Sequence, residues 1–183
     1  MLHGDGRAFD ELVGQYEKRV WSLAYQMAGN SDDALEITQN VFLRVHQHLA
    51  RYDPARPFAS WLYRITVNCT YDFIKKRPAS ISLEDLPEPL RQERETSPDR
   101  GPERELRQRE IRQVLRSLLR RLTPQERSVF VLRDLEGLDT KEIAYILGCT
   151  MVTVRRHSSS ARLRLRDEIA RRFPELLPRP EEG

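Results

Sequence analysis

Cysteine is nearly missing from this chain, with two in 183 residues, and glycine (eight) and histidine (four) are sparse. Cys69 and Cys149 stand far apart, which excludes a disulfide framework and leaves each as a small apolar residue in or beside a helix. His46 and His48 are two apart on one helical stretch and point to different faces, so they do not share a metal. Neither a glycine-rich phosphate loop nor a nucleophile beside a base is found, so the sequence offers no catalytic residue and implies no enzyme and no cofactor. Long apolar runs are missing too; none approaches the roughly 18 residues of a membrane span. The opening MLHGDGRAFDEL lacks the basic and then apolar layout of a secretory signal. With 32% charged residues and a mean hydropathy of −0.65, the chain is expected in the cytoplasm, without direct membrane contact.

What is present is helical periodicity. Phe9, Leu12, Val13, Tyr16, Val20, Leu23, Ala24 and Met27 follow the spacing of one buried helix face. GNSD ends that helix, and Ser31 or Asp32 is placed to cap the next, whose stripe is Ala34, Ile37, Val41, Val45 and Leu49. Pro54 and Pro57 make YDPARP a loop, after which Phe58, Trp61, Leu62, Ile65, Cys69 and Phe73 mark a third helix. Five prolines between Pro78 and Pro102, with many acids, mark a flexible linker. Periodicity resumes with Ile111, Val114, Leu115, Leu118 and Leu122. TPQE then predicts a capping box of Thr123 and Glu126 with Pro124 at the first helical position, and Asp139 with Glu142 predicts a second. Gly137 and Gly148 close helices, and Pro174 limits the last one. The expected fold is all-α: two small helical domains, 1–77 and 106–174, joined by a linker at 78–105 and followed by a tail at 175–183.

Charge is divided unevenly among these parts. Residues 81–105 hold 4 Lys+Arg against 8 Asp+Glu, and residues 106–183 hold 17 against 11. A basic C-terminal third suits a polyanion. Its core is IAYILGCTMVTVRRHSSSARLRLR, two helices about a tight turn that match a helix-turn-helix. Val154, Ser158, Ala161 and Leu165 share one face of the second helix, while five arginines (Arg155, Arg156, Arg162, Arg164, Arg166) stand there with no acid among them. Arginine bonds guanine edges and phosphates in bidentate fashion, so this helix reads as a DNA-binding one rather than a solvated bundle helix. A second feature is aromatic crowding. Tyr52, Phe58, Trp61, Tyr63, Tyr71 and Phe73 fall in 22 residues beside Arg56, Arg64 and KKR. Rings stack on unpaired bases and cations hold the strand, although taken alone this signal favours an aromatic core, with Phe58, Trp61 and Phe73 at core spacing. A third is the amphipathic DDALEITQNVFLRV, whose acids sit favourably near a helix N-terminus.

In this order DALEITQNVFLRV, FASWLYRITVNCTYDFIKKR and LTPQERSVFVLRDLEGLDTKEIAYILGCTMVTVRRHSSSARLRLR resemble the extracytoplasmic-function (ECF) group of bacterial RNA polymerase sigma factors over nearly the whole chain. The resemblance implies a subunit that binds core RNA polymerase and directs promoter-specific transcription initiation. Residues 1–77 would be region 2 and 106–174 region 4. Asp32, Asp33, Glu36, Gln39, Asn40, Phe42 and Arg44 would contact the polymerase clamp coiled coil, and region 4 the flap. Tyr52, Arg56, Phe58, Trp61, Asn68, Asp72 and Lys75 would melt and capture the single-stranded −10 element. Thr153, Arg155, Arg156, Ser159, Ser160 and Arg162 would read the −35 duplex. An anti-sigma protein is the further implied partner. Departures from the family pattern are Leu35 and Asn40 in the acidic helix, Val152 in the turn, and the HSSSAR run with Ser158 and Ser160. These imply an atypical −35 preference carried by Arg155, Arg156 and Ser159. A stand-alone helix-turn-helix regulator and a helical adaptor remain the alternatives; they differ in whether DNA binding needs polymerase, or occurs at all.

Overall fold

The computed structural model describes residues 6–76, 111 and 113–174; the predicted linker and tail lie outside the described residues. The described chain is all-α. Helices α1 (Gly6–Ala28), α2 (Ser31–His48) and α3 (Phe58–Lys76) form the N-terminal half, with a short 3-10 turn at Leu49–Arg51. The C-terminal half has α4 (residues 113–119), α5 (Pro124–Phe130) running into a π-turn at Val131–Leu135, α6 (Thr140–Leu147) and α7 (Met151–Arg172).

Local chemistry accounts for most of these boundaries. Asn30, rather than Ser31 or Asp32, caps α2: its side chain accepts from Asp33 N at 2.8 Å, and its amide donates to the Asp33 carboxylate. The Thr123–Glu126 capping box forms as the sequence predicts. Asp139 caps α6 by accepting from Lys141 N and Glu142 N, but the second box does not close. Glu142 instead accepts the Ser60 hydroxyl of α3 at 3.1 Å. Gly148 ends α6 at φ 63°, and Gly137 follows the π-turn at φ 73°, conformations in which a Cβ is strained.

Val20, Ala24, Ala34, Ile37, Val41, Val45 and Leu62 pack the three N-terminal helices around one core. Ile111, expected on a buried stripe, is instead exposed. A second core does not stay within the C-terminal half. Leu132, Ile143, Ile146, Val154, Ala161 and Leu165 pack in one cluster with Leu23, Met27, Tyr63 and Val67 from α1 and α3. Each large aliphatic side chain so buried contributes about 1.5–3 kcal/mol.

Helix α3 is therefore buried on two faces. Phe58, Trp61, Ile65 and Phe73 are only partly buried, whereas Ser60, Tyr63, Thr66, Val67 and Thr70 are fully so. That second face is written in small and polar residues, and its threonines bond the carbonyls four residues back. Polar bonds stitch the same joint. Tyr63 Oη donates to Glu136 at 2.8 Å, Tyr71 Oη and Ser128 Oγ share a bond of 2.8 Å, and Arg127 donates to the carbonyls of Met27 and Leu119, both at 2.8 Å. Those carbonyls sit at the C-terminal ends of α1 and α4, where i→i+4 partners run out and a cation is favoured; that of Leu119 also accepts from Leu122 N at 3.2 Å.

Candidate nucleic-acid interface

The turn Leu147–Thr150 sets α7 against α6, and Thr150 caps α7 by accepting from Thr153 N at 3.1 Å. Val154, Ser158, Ala161 and Leu165 are its buried face, as their spacing predicts. The outward side carries Val152, Arg155, Arg156, Ser159 and Leu163. Arg155 and Arg156 make no ion pair among the described residues. Two arginines depart from the expectation of unpaired cations: Arg162 meets Asp134 at 2.6 Å, and Arg164 meets the buried Glu126 at 3.3 Å. Asp134 belongs to the π-turn that follows α5. Burial works to raise the Glu126 pKa, but the Thr123 hydrogen bonds and the charges of Arg164 and His157 outweigh it and hold the carboxyl below its usual range. The Thr153 hydroxyl shares a bond of 2.9 Å with that of Thr150, and Ser160 is half-buried. Val152 and Leu163, 71% and 61% exposed, were not among the sequence-predicted site residues. Their signal is apolar side chains at positions on the outward face.

At the start of α3 the aromatics do gather. Tyr52, Phe58 and Trp61 have ring centroids 5.3–5.6 Å apart, and Tyr16 of α1 adds a contact of 5.3 Å to Phe58. The loop is folded by its own polar atoms: Tyr52 Oη donates to the Arg56 carbonyl at 2.7 Å, and Asp53 accepts from Ala55 N at 3.0 Å. A cavity of about 180 Å³ opens beside the cluster, lined by Arg51, Tyr52, Asp53, Arg56, Trp61, Arg64 and Tyr145. Asn68 and Lys75 are exposed farther along α3. Asp72 is bonded to Arg44 of α2 at 2.9 Å, so one residue expected at DNA and one expected at polymerase hold each other. That bond is the main reason the Arg44 pKa is raised.

On α2, Asp32, Glu36, Gln39 and Asn40 face outward. Asp33 and Phe42 do not: they are 7% and 8% exposed, the first held by Asn30 and the second packed in the core, so both leave the surface set. Leu35 and Leu43, 51% and 61% exposed, take their place on that face. Burial pushes the thiols of Cys69 and Cys149 up, away from nucleophilic character. No described helix is long and apolar enough to cross a membrane.

The described chain is thus a three-helix unit with an aromatic, arginine-lined loop, packed beside a capped helix-turn-helix. Residues 12–79 match the Sigma-70 region 2 family, and residues 112–165 match Sigma-70, region 4. The ECF RNA polymerase sigma factor SigE of Mycolicibacterium smegmatis is 38% identical over 168 residues, covering 92% of this chain and 64% of that protein. The ECF RNA polymerase sigma factor SigW of Bacillus subtilis is 30% identical over 170 residues and 91% of each chain. Among solved structures, that of CnrH in complex with the cytosolic domain of CnrY superposes with a TM-score of 0.67 at 25% identity, covering 92% of each chain. The chain belongs to the ECF RNA polymerase sigma factors.

Proposed function

We propose that the protein binds core RNA polymerase and gives it promoter specificity in transcription initiation, leaving the chemistry to the polymerase. The outward side of α2, with Asp32, Glu36, Gln39, Asn40 and the exposed Leu35 and Leu43, docks on the clamp coiled coil. The Tyr52–Phe58 loop with Trp61, Asn68 and Lys75 captures unstacked bases of the −10 strand; stacking on the aromatic cluster offsets the few kcal/mol lost on unstacking. Helix α7 lies in the major groove of the −35 element, read by Arg155, Arg156 and Ser159. The observation carrying this reading is the pairing, within one member of this family, of an aromatic base-stacking cluster and a separate arginine-faced helix. An anti-sigma protein is the proposed antagonist, since two solved relatives are described in complex with such partners or with a cytosolic protein domain.

The test mixes purified protein with sigma-free core polymerase and follows co-elution and run-off transcription over a library of genomic promoters. Co-elution with discrete new transcripts is expected. Sequence-specific duplex binding without polymerase, and no co-elution, would favour the stand-alone regulator instead.

A further inference from the structure

Arg56 and Arg64 reach into the cavity beside the aromatic cluster, yet neither is directed chiefly at an acid. Asp53 approaches Arg56 only to 3.9 Å, and no described carboxylate pairs with Arg64. Both guanidinium groups lie over the ring of Tyr145, at 4.4 Å and 5.1 Å from its centroid. Tyr145 belongs to α6, the first helix of the helix-turn-helix, and it is held there by its neighbours: Ile143 and Ile146 are buried in the shared core, and Glu142 accepts from Ser60. A protein ring from the −35 half thus lies against two cations of the −10 half and shares with them, Tyr52 and Trp61 the lining of one cavity.

That set of groups suits a nucleotide better than a tyrosine. Guanidinium planes and aromatic faces stack on any base, and the same cations draw the backbone phosphate beside it. Tyr145 supplies the π face and no phosphate. We propose that Arg56 and Arg64, with Tyr52 and Trp61, form a seat for one unstacked base of single-stranded DNA, and that Tyr145, as one wall of the cavity, covers the two guanidinium faces in place of a base while the two halves are packed together. The inference rests on the promoter reading above and adds to it a regulated site. Promoter geometry uncovers the seat. The two elements lie about 25 base pairs apart by their names, roughly 85 Å at 3.4 Å per pair, whereas α3 and α6 are in contact here. Engaging both elements separates α6 from α3 and withdraws Tyr145.

The experiment uses the full chain and a fluorescein-labelled single strand of about 12 nucleotides, within the span such sites cover, with an abasic strand of equal length as comparator. Tyr145→Leu keeps the apolar contact to the core and removes the π face; Tyr145→Phe keeps the ring. Tyr145→Leu is expected to bind the base-bearing strand about five- to thirtyfold more tightly than wild type, the equivalent of releasing two exposed cation–π contacts. Tyr145→Phe should match wild type, the abasic strand should show no gain, and adding Arg64→Ala to Tyr145→Leu should erase it. Equal binding by wild type and Tyr145→Leu, or an equal gain on the abasic strand, would overturn the proposal. Core-polymerase co-elution is measured on the same samples. A gain without co-elution supports the seat and removes the promoter reading; co-elution without a gain does the reverse.

Discussion

Replacing Arg127 by methionine tests whether the two halves stand or fall together. Arg127 donates from Nε to Leu119 O and from Nη1 to Met27 O, both at 2.8 Å, and so ties the end of α1 to the end of α4. Met27 is 2% exposed, so water does not readily replace the donor its carbonyl loses, whereas the Leu119 carbonyl keeps the bond it accepts from Leu122 N at 3.2 Å. A hydrogen bond from a charged donor is worth about 1.5–3 kcal/mol, and an abandoned buried carbonyl costs about 1–3 kcal/mol. Against this, burial already pulls the Arg127 pKa down, with the nearby Arg120 adding to it, so the charge sits at some desolvation cost that the variant removes. Methionine retains the apolar stem. The net loss expected is about 2–4 kcal/mol, a large share of the roughly 5–15 kcal/mol typical of a domain. Guanidinium unfolding followed by far-UV circular dichroism and by tryptophan fluorescence reads it out. Trp21 and Trp61 both lie in the N-terminal half, so fluorescence follows that half while dichroism follows both. In the wild type the shared core makes the two transitions coincide; in Arg127→Met they should separate and shift to lower denaturant. A variant within about 0.5 kcal/mol of wild type, with coincident transitions, would refute the reasoning.

Other expectations concern charge and chemistry. The Glu126 carboxyl is held below its ordinary pKa, so its contribution to stability is complete above the unfolded value and fades as pH falls through the folded one. Acid unfolding of Glu126→Gln should therefore be shallower than that of wild type below about pH 4.5. For the −35 duplex, Arg155→Ala in the polymerase complex should weaken binding by about 1–3 kcal/mol if it reaches a base edge. Arg164→Ala, whose partner is Glu126, should leave duplex binding largely unchanged and lower thermal stability instead; equal losses of affinity in the two variants would dismiss the assignment of faces. Cys69, buried and with its thiol pKa raised, should react with a thiol reagent only as fast as the protein unfolds.

Repeating apolar spacing, capping residues and loop prolines were enough to lay out the helices, because each of these acts within a few residues of chain. Thr123 with Glu126, Gly148, and the buried run Val154, Ser158, Ala161 and Leu165 were legible for that reason. The motif order was enough to place the family. Capping of α2 by Asn30 was misread because three adjacent residues can all cap, and only the backbone at position 30, at φ −141° and ψ 159°, selects among them. Tertiary structure alone decided the rest. The buried second face of α3 is made of Ser60, Tyr63, Thr66, Val67 and Thr70, which carry little hydrophobic signal until another helix covers them. Asp134 and Arg162, Arg44 and Asp72, and Tyr145 with Arg56 and Arg64 are far apart in sequence, and charge or ring type says nothing of which will meet. Which arginines of α7 are paired depends on how α7 packs on the π-turn and α5, and what walls the aromatic cavity depends on how the halves pack, since contacts distant along the chain leave no local pattern.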